Sequence, residues 1–491
     1  MEEYVLGVDI GTGSTKAVAV DREGAILGAA SRLYVRSHPE PGASEQEPEE
    51  IWLAFLQSIK EAIELVGRPP QMISLSSAMH SLILADPEGT PLMPLMTWAD
   101  VRSAAVAEEL QSTETGKRLY RNTGTPIHPM SPLCKLIWLR REKPELFGAA
   151  ARFLSIKDYI WFKLFGHFEA DYSVASASGL FDLACLCWNE EALRLTEIQA
   201  TQLPDLKNTD FVRDLSDATL LSSLGLDQPV PVMIGASDGC SANLGTYVHG
   251  HGKAALTIGT SGAVRVTGRA PISDDETMIF NYRLDEQTYV SGGAVNNGGN
   301  TVDWLLKKFL NVEQVSDAAY KDLFDAIEDV EAGSEGLLFL PYLHGERAPI
   351  WEASASGAFL NIRSLHTQAH FFRAGLEGVC MALNDVLKTI EERAGSIEAL
   401  HVSGGFTNSE VWMQLLADVT GKRLLLMQVE DASAVGAAYL AMRKIWPEAF
   451  VRLSDRKADK VIEPDNVRHQ VYQEVFSRYR KSYHLLKTIW A

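Results

Sequence analysis

The chain has 491 residues, 46% of them apolar and 22% charged, with a formal net charge of −19. That length exceeds what one hydrophobic core supports, so two or three domains are expected. The acidic balance argues against nucleic acid, whose phosphates need a basic surface, and no apolar run has the length of a membrane-crossing helix.

The first residues carry no basic segment followed by an apolar one, so no secretion signal is expected and cytoplasmic residence is the default. Five cysteines (Cys134, Cys185, Cys187, Cys240 and Cys380) are an odd number without a CxxC pair. They are expected to be free thiols, buried or half-buried.

In chain order, YVLGVD (4–9), KAVAVD (16–21) and AILGAASR (25–32) read as three strands joined by turns, a meander rather than a βαβ unit. A loop rich in Pro, Glu and Gly follows. Ile51, Trp52, Phe55, Ile59 and Ile63 then fall at helical spacing behind Pro48. QMISLSS (71–77) and LILAD (82–86) read as buried strands, and 131–142 and 155–166 as helices. A second strand-rich block holds VPVMIGASDG (230–239), AALTIGTSG (254–262) and TYVSGGA (288–294). Helices are expected over 300–309, 369–392, 409–421 and 431–446, with the strand EALHVSGG (398–405) between them. DIGTGSTKAVAV (9–20) and TIGTSGAVRV (257–266) repeat one device, strand, glycine turn, strand. Two related domains are therefore expected, residues 1–245 and 246–491.

The turn from Asp9 to Lys16 offers glycines, hydroxyls and an ammonium, which suits phosphate at Thr12, Gly13, Ser14 and Lys16. Asp9, at a strand end, suits a hydrated Mg²⁺. A dinucleotide fingerprint fails here, because residue 16 is Lys and the next segment is a strand. Gly252-Lys253 is not a P-loop, since Tyr247 stands at the first glycine position and Ala254 replaces Ser or Thr. Gly259-Thr260 forms the second glycine turn, and Gly404, Gly405 and Asn408 lie between a strand and a helix. Asp238 follows an apolar strand. It reads either as a helix N-cap or as a general base taking a hydroxyl proton. Trp98 can cover a sugar's C–H face while His80 and Asp100 bond hydroxyls, although a lone His is more often structural.

Together these segments resemble the FGGY family of carbohydrate kinases, from about residue 5 to 445 and in consistent order. The match includes MSPLCKLIWLRRE (130–142), with Lys135 and Trp138 in place, and PYLHGERAPIW (341–351). It also includes SGGFTNSEVWMQLLAD (403–418). Asn361 stands where the family's second signature usually has Gly. The resemblance implies an α/β fold of two ribonuclease H-like (actin-like ATPase) domains, with ATP and sugar in the cleft between them. It implies Asp238 as base and Asp9 with Asp238 at Mg²⁺. Met79, His80, Trp98 and Asp100 would meet the sugar, and Gly259, Thr260, Gly299, Asp303, Gly404, Gly405 and Asn408 the nucleotide. Homodimers are frequent among such enzymes.

LSSAMHSLILAD (75–86) and MTWADVRS (96–103) are most similar to the gluconate-phosphorylating members. The expected reaction is therefore ATP-dependent conversion of D-gluconate to 6-phosphogluconate. A sugar acid needs a cation in so acidic a chain, and Lys157, Arg102 and His80 are the candidates. The alternatives are a kinase for a neutral sugar such as xylulose or another pentulose or polyol, and a non-catalytic actin-like sugar-binding protein.

Overall fold

A computed structural model describes residues 3–248, 252–309, 316–427, 431–454 and 456–490. The chain forms two compact units, neither continuous in sequence. The first comprises Met1–His249, Thr267–Ser291 and Val429–Arg456, and the second Gly250–Val266, Gly292–Gln428 and Lys457–Ala491.

The first unit holds a sheet of β1 (Tyr4–Ile10), β2 (Ser14–Asp21), β3 (Ile26–Leu33), β4 (Ile73–Ser77), β5 (Val212–Leu215) and β6 (Val230–Ser237). The order is β5-β6-β4-β1-β2-β3. β1 to β3 form the expected antiparallel meander, β4 runs parallel to β1, and β6 parallel to β4. β1 is buried on both faces, and its side chains alternate between two coverings. Tyr4, Leu6, Val8 and Ile10 join the cluster of Trp52, Phe55 and Ile59 from the helix Pro48–Val66. Gly7, on the opposite face, lies against the backbone of Ala434 in the helix Ala432–Ile445. A helix near the C-terminal end of the chain thus completes the core around the first strand.

The second unit's sheet includes β7 (Lys253–Ile258), β8 (Gly262–Gly268), β9 (Tyr289–Val295), β10 (Ala399–Ser403), β11 (Arg423–Leu426) and β12 (Lys460–Ile462). They lie in the order β9-β8-β7-β10-β11-β12. β7 and β8 are antiparallel, while β10 is parallel to both β7 and β11. The repeated strand–turn–strand device is therefore real in three dimensions. Ile10 pairs with Thr15 around one glycine turn, Ile258 pairs with Gly262 around the other, and a parallel strand flanks each hairpin. This is the expected two-domain α/β architecture.

Among the helices that the sequence reading did not pick out are Ala104–Gln111, Glu114–Thr123, Asp317–Ile327 and Asn466–Trp490. The cysteine expectation needs correction. Cys134, Cys240 and Cys380 are buried free thiols, but Cys185 and Cys187 are exposed and joined as a disulfide, Cα to Cα 5.3 Å. They sit where the short strands Phe181–Asp182 and Cys187–Trp188 pair as a hairpin, which folds a CxC segment back on itself. Among the described residues no helix is long and apolar enough to cross a membrane.

Candidate active site

Asp238 is the first residue of the helix Asp238–Gly245, directly after β6. The N-cap is Ser237, whose Oγ accepts from the Cys240 N–H at 3.4 Å. The helix start is therefore satisfied without the Asp238 side chain, and the N-cap reading of that residue fails. Its carboxylate accepts from the Gly239 N–H at 2.6 Å. Ser237 is itself braced, because its N–H donates to Ser173 Oγ at 3.0 Å and the two hydroxyls lie 2.8 Å apart.

Asp9 lies on β1, next to the first glycine turn, and accepts from Ser76 Oγ at 2.9 Å. It keeps some accessible surface but is walled in by protein. That burial, then the charge of Asp238, push its carboxyl up to about 7 against the pull of Ser76 and Lys16. Two carboxylates crowding one another in this way are a donor pair suited to a divalent cation, and Mg²⁺ in particular needs few protein ligands. Among the described residues no group of three or more His, Cys, Asp or Glu gathers as a metal nest.

Lys16 forms an ion pair with Asp431, which sits in the left-handed region (φ 53°) just before the helix Ala432–Ile445. The turn itself is held tightly. Gly11 N–H donates to the Ser14 carbonyl at 3.0 Å, Tyr34 donates to the Gly11 carbonyl, and Gln46 Nε2 donates to the Thr12 carbonyl at 2.7 Å. Gly13 remains exposed at the tip.

Three of the residues singled out in the sequence converge here. Trp98 Nε1 donates to Thr12 Oγ1 at 3.0 Å, and Met79, Trp98 and Thr12 line one void of about 10 Å³. His80 lies beside them but is held by protein. Its Nδ1 lies 2.7 Å from the Ala177 carbonyl and its Nε2 3.2 Å from Tyr282 Oη. Asp100 is fully buried, accepting from the Ser44 N–H at 3.0 Å and from Arg102 Nη2 at 2.7 Å. Arg102 also pairs with Glu45 and Glu40. Lys157 is buried and paired with Asp171 at 2.7 Å, and it donates to the Ala236 carbonyl at 2.8 Å. It thus braces the end of the strand that delivers Asp238.

The nucleotide residues expected in the second unit gather around a single pocket. Gly259, Thr260, Gly299, Asp303, Gly405 and Asn408 all line a cavity of about 760 Å³. The backbone ties the second glycine turn to the helix Gly299–Phe309: Gly299 N–H donates to the Gly259 carbonyl at 2.7 Å and Gly298 N–H to the Thr260 carbonyl at 3.2 Å. Gly404 directly precedes the lining residues and presses on the Ile258 backbone. Sequence reasoning missed the aromatic wall, made of Tyr320, Phe324, Phe406 and Trp412. Phe324 and Trp412 have the spacing of ordinary core residues, so no local signal separated them from packing. Tyr320 also bonds Asp303. The size and mixed lining suit a compound as large as a nucleoside.

Residues 4–245 match the N-terminal domain of the FGGY family of carbohydrate kinases, and residues 254–445 match its C-terminal domain. A gluconokinase of Bacillus licheniformis is 39% identical over 449 residues, 90% of this chain and 88% of the relative. A xylulose kinase of Staphylococcus epidermidis is 31% identical over 509 residues, covering 100% of this chain and 98% of the relative. The crystal structure of a gluconate kinase from Lactobacillus acidophilus superposes with a TM-score of 0.93 at 30% identity, covering 99% of this chain and 98% of that one. The fold, the paired glycine turns and these matches define a sugar kinase, a phosphotransferase with an alcohol group as acceptor. The chain belongs to the FGGY family of carbohydrate kinases.

Proposed function

We propose that this protein phosphorylates a sugar acid with ATP, converting D-gluconate to 6-phosphogluconate, with Asp238 as general base. The observation that carries the base assignment is that Ser237 caps the helix, which leaves Asp238 as its first residue, directly after the strand Val230–Ser237. A hydroxyl is a poor nucleophile until its proton is accepted. Asp238 would take that proton as the sugar oxygen bonds to the γ-phosphorus and the bond to the ADP oxygen breaks. Lys16 and the N–H groups of the glycine turns would stabilise the charge on the transferring phosphoryl group. Asp9 and Asp238 would hold Mg²⁺, largely through water, and the ion when bound would neutralise phosphate charge. Trp98 and Met79 would flank the sugar. The aromatic-walled pocket of the second unit would take the nucleoside.

Gluconate is favoured over neutral sugars by the residues of 75–86 and 96–103 and by the greater identity to a gluconokinase. The cation that meets the carboxylate is constrained by what Lys157 and Arg102 already hold. Contact with either would have to replace a buried ion pair with Asp171 or Asp100. Backbone N–H groups would meet the carboxylate at less cost, since His80 is already bonded at both ring nitrogens. The rival reading, a xylulose kinase, is supported by a relative matched over the whole chain.

ADP release measured against gluconate, xylulose, ribulose and glycerol, with and without Mg²⁺, tests the assignment. Gluconate is expected to exceed every neutral sugar in kcat/KM by at least about tenfold. A neutral sugar leading the panel overturns the sugar-acid reading. Asp238→Asn is expected to fold and to lose at least about a hundredfold in kcat. Retention of roughly a tenth of wild-type kcat removes Asp238 from the base role.

A further inference from the structure

Lys135 is wholly buried in the helix Pro132–Glu142. An ammonium in such a place loses its hydration, and a methionine would fill the same space without that loss. Its Nζ donates to two backbone carbonyls, of His80 at 2.6 Å and of Thr97 at 2.7 Å. Those carbonyls come from segments seventeen residues apart, each adjoining a residue that lines the void beside Thr12, namely Met79 and Trp98. The backbone pairs Leu82 with Met96, each N–H donating to the other's carbonyl at 3.0 Å, and Lys135 ties the adjoining end by the void, where both groups facing it are acceptors.

The geometry around His80 makes the tie more consequential. His80 has φ 65°, a left-handed conformation that a side chain disfavours. Its ring is held at both nitrogens, and Lys135 fixes its carbonyl. Thr97 is fixed in turn, with Oγ1 2.7 Å from Ser44 Oγ and its carbonyl on Lys135. The nearby charge of Asp100 favours the ammonium, while burial pulls the lysine down to about 7.

We infer that Lys135 is a positioning residue for sugar recognition: its ammonium clamps the Met79-His80 and Thr97-Trp98 segments into one rigid wall and so sets the affinity for the sugar. The inference rests on the reading that these segments face the sugar, but not on which sugar it is. The clamp acts through backbone atoms, so it fixes the wall's shape whatever side chains stand on it. The aromatic-walled pocket of the second unit is built from other residues, and the clamp meets the phosphate turn through the Trp98–Thr12 bond.

The experiment compares Lys135→Met with wild type, using whichever sugar the wild type phosphorylates. Sugar KM is expected to rise by at least about tenfold with ATP KM within about threefold, a split that general loosening of the fold does not produce. Sugar KM within about threefold of wild type, in protein that still melts cooperatively, overturns the inference. If Lys135→Met does not fold, Lys135→Arg keeps the charge and donors on a longer stem. Displaced carbonyls should then raise sugar KM by at least about threefold while ATP KM holds, and an unchanged sugar KM overturns the clamp. Failure of both variants to fold also overturns it, since the lysine then serves folding alone. A wild type inactive on every sugar is a different failure, that of the kinase reading itself.

Discussion

Gly436 lies so close to Ser241 that a Cβ on the glycine would stand 1.8 Å from the serine carbonyl oxygen. The same crossing brings Gly245 to Ala432, where a Cβ would meet the carbonyl at 2.1 Å. These contacts join the helix Ala432–Ile445 to the helix Asp238–Gly245, whose first residue is the proposed base. Gly436→Ala must push the two helices apart. Overpacking of this kind costs about 1–3 kcal/mol. The expected result is a melting temperature lower by several degrees and a fall in kcat, read by calorimetry and by ADP release. An unchanged melting temperature would show that the helices separate freely and that the crossing does not place Asp238.

Two glycines predict opposite kinds of loss. Gly404 has φ +103° and a Cβ there would lie 2.3 Å from the Ile258 carbonyl, so Gly404→Ala strains the backbone and collides with it. It is expected to destabilise the second unit and raise ATP KM together. Gly13 has nothing within 4 Å of an added Cβ. Gly13→Ala should therefore melt like wild type, yet raise ATP KM by several-fold, because the methyl blocks phosphate from the turn's N–H groups. Thermal melts paired with ATP titrations separate the cases. A Gly13→Ala enzyme with wild-type ATP KM would remove that turn tip from the phosphate site.

What the sequence disclosed and what it hid divide along a physical line. Glycine turns between apolar strands are local, so both hairpins and the pocket residues Gly259, Thr260, Gly405 and Asn408 were legible. Asn361, the departure from the family signature, has φ 61° and donates to the Gly336 carbonyl at 2.9 Å. Asn is among the few residues that tolerate the conformation glycine otherwise supplies, so the substitution keeps the local geometry. Pairings made by the tertiary fold were invisible. Nothing near Lys16 announces Asp431, and nothing near Lys157 announces that Asp171 holds it in the interior. Phe324 and Trp412 were hidden for another reason: an aromatic residue on a helix reads the same whether it faces a core or lines a cavity. Cys185 and Cys187 were misread because pairing depended on a hairpin too short to show as periodicity.

Glu346 supplies a pH dependence with a definite sign. It is buried, accepting from Arg347 N–H at 2.9 Å, Asn297 Nδ2 at 3.1 Å and Asn296 N–H, yet burial outweighs these donors and pushes it up to about 7. A glutamate in the unfolded chain loses its proton near 4.5. Between those values the folded chain binds the extra proton, so this group's contribution to stability falls as pH rises from about 4.5 to about 7 and is level above. Glu346→Gln removes the titration, at a constant cost from facing one amide N–H₂ toward Asn297. Relative to the variant, wild type should therefore lose up to about 1.4 kcal/mol per pH unit across that window. Denaturant midpoints of both proteins at about pH 5 and about pH 8 check it. A gap that stays constant, or widens in favour of wild type at the higher pH, contradicts the raised carboxyl.

The Lys16–Asp431 pair predicts a gain rather than a loss. Both side chains are partly exposed, at 40% and 30%, so the pair contributes little to stability, about 0.2–1 kcal/mol at most. Asp431→Asn should leave the fold intact, because asparagine also accepts the left-handed backbone of that position. If Lys16 grips phosphate, Asp431 competes for the same ammonium, and removing its charge returns that competition to the nucleotide. An interaction of this size corresponds to a fall in ATP KM of about 1.4- to 5-fold. Lys16→Met should raise ATP KM, and adding Asp431→Asn to it should change nothing further, since the competition has no object once the lysine is gone. A rise in ATP KM for Asp431→Asn alone would reverse the assignment: Asp431 would then work with the nucleotide, holding Lys16 in its gripping position instead of drawing it away.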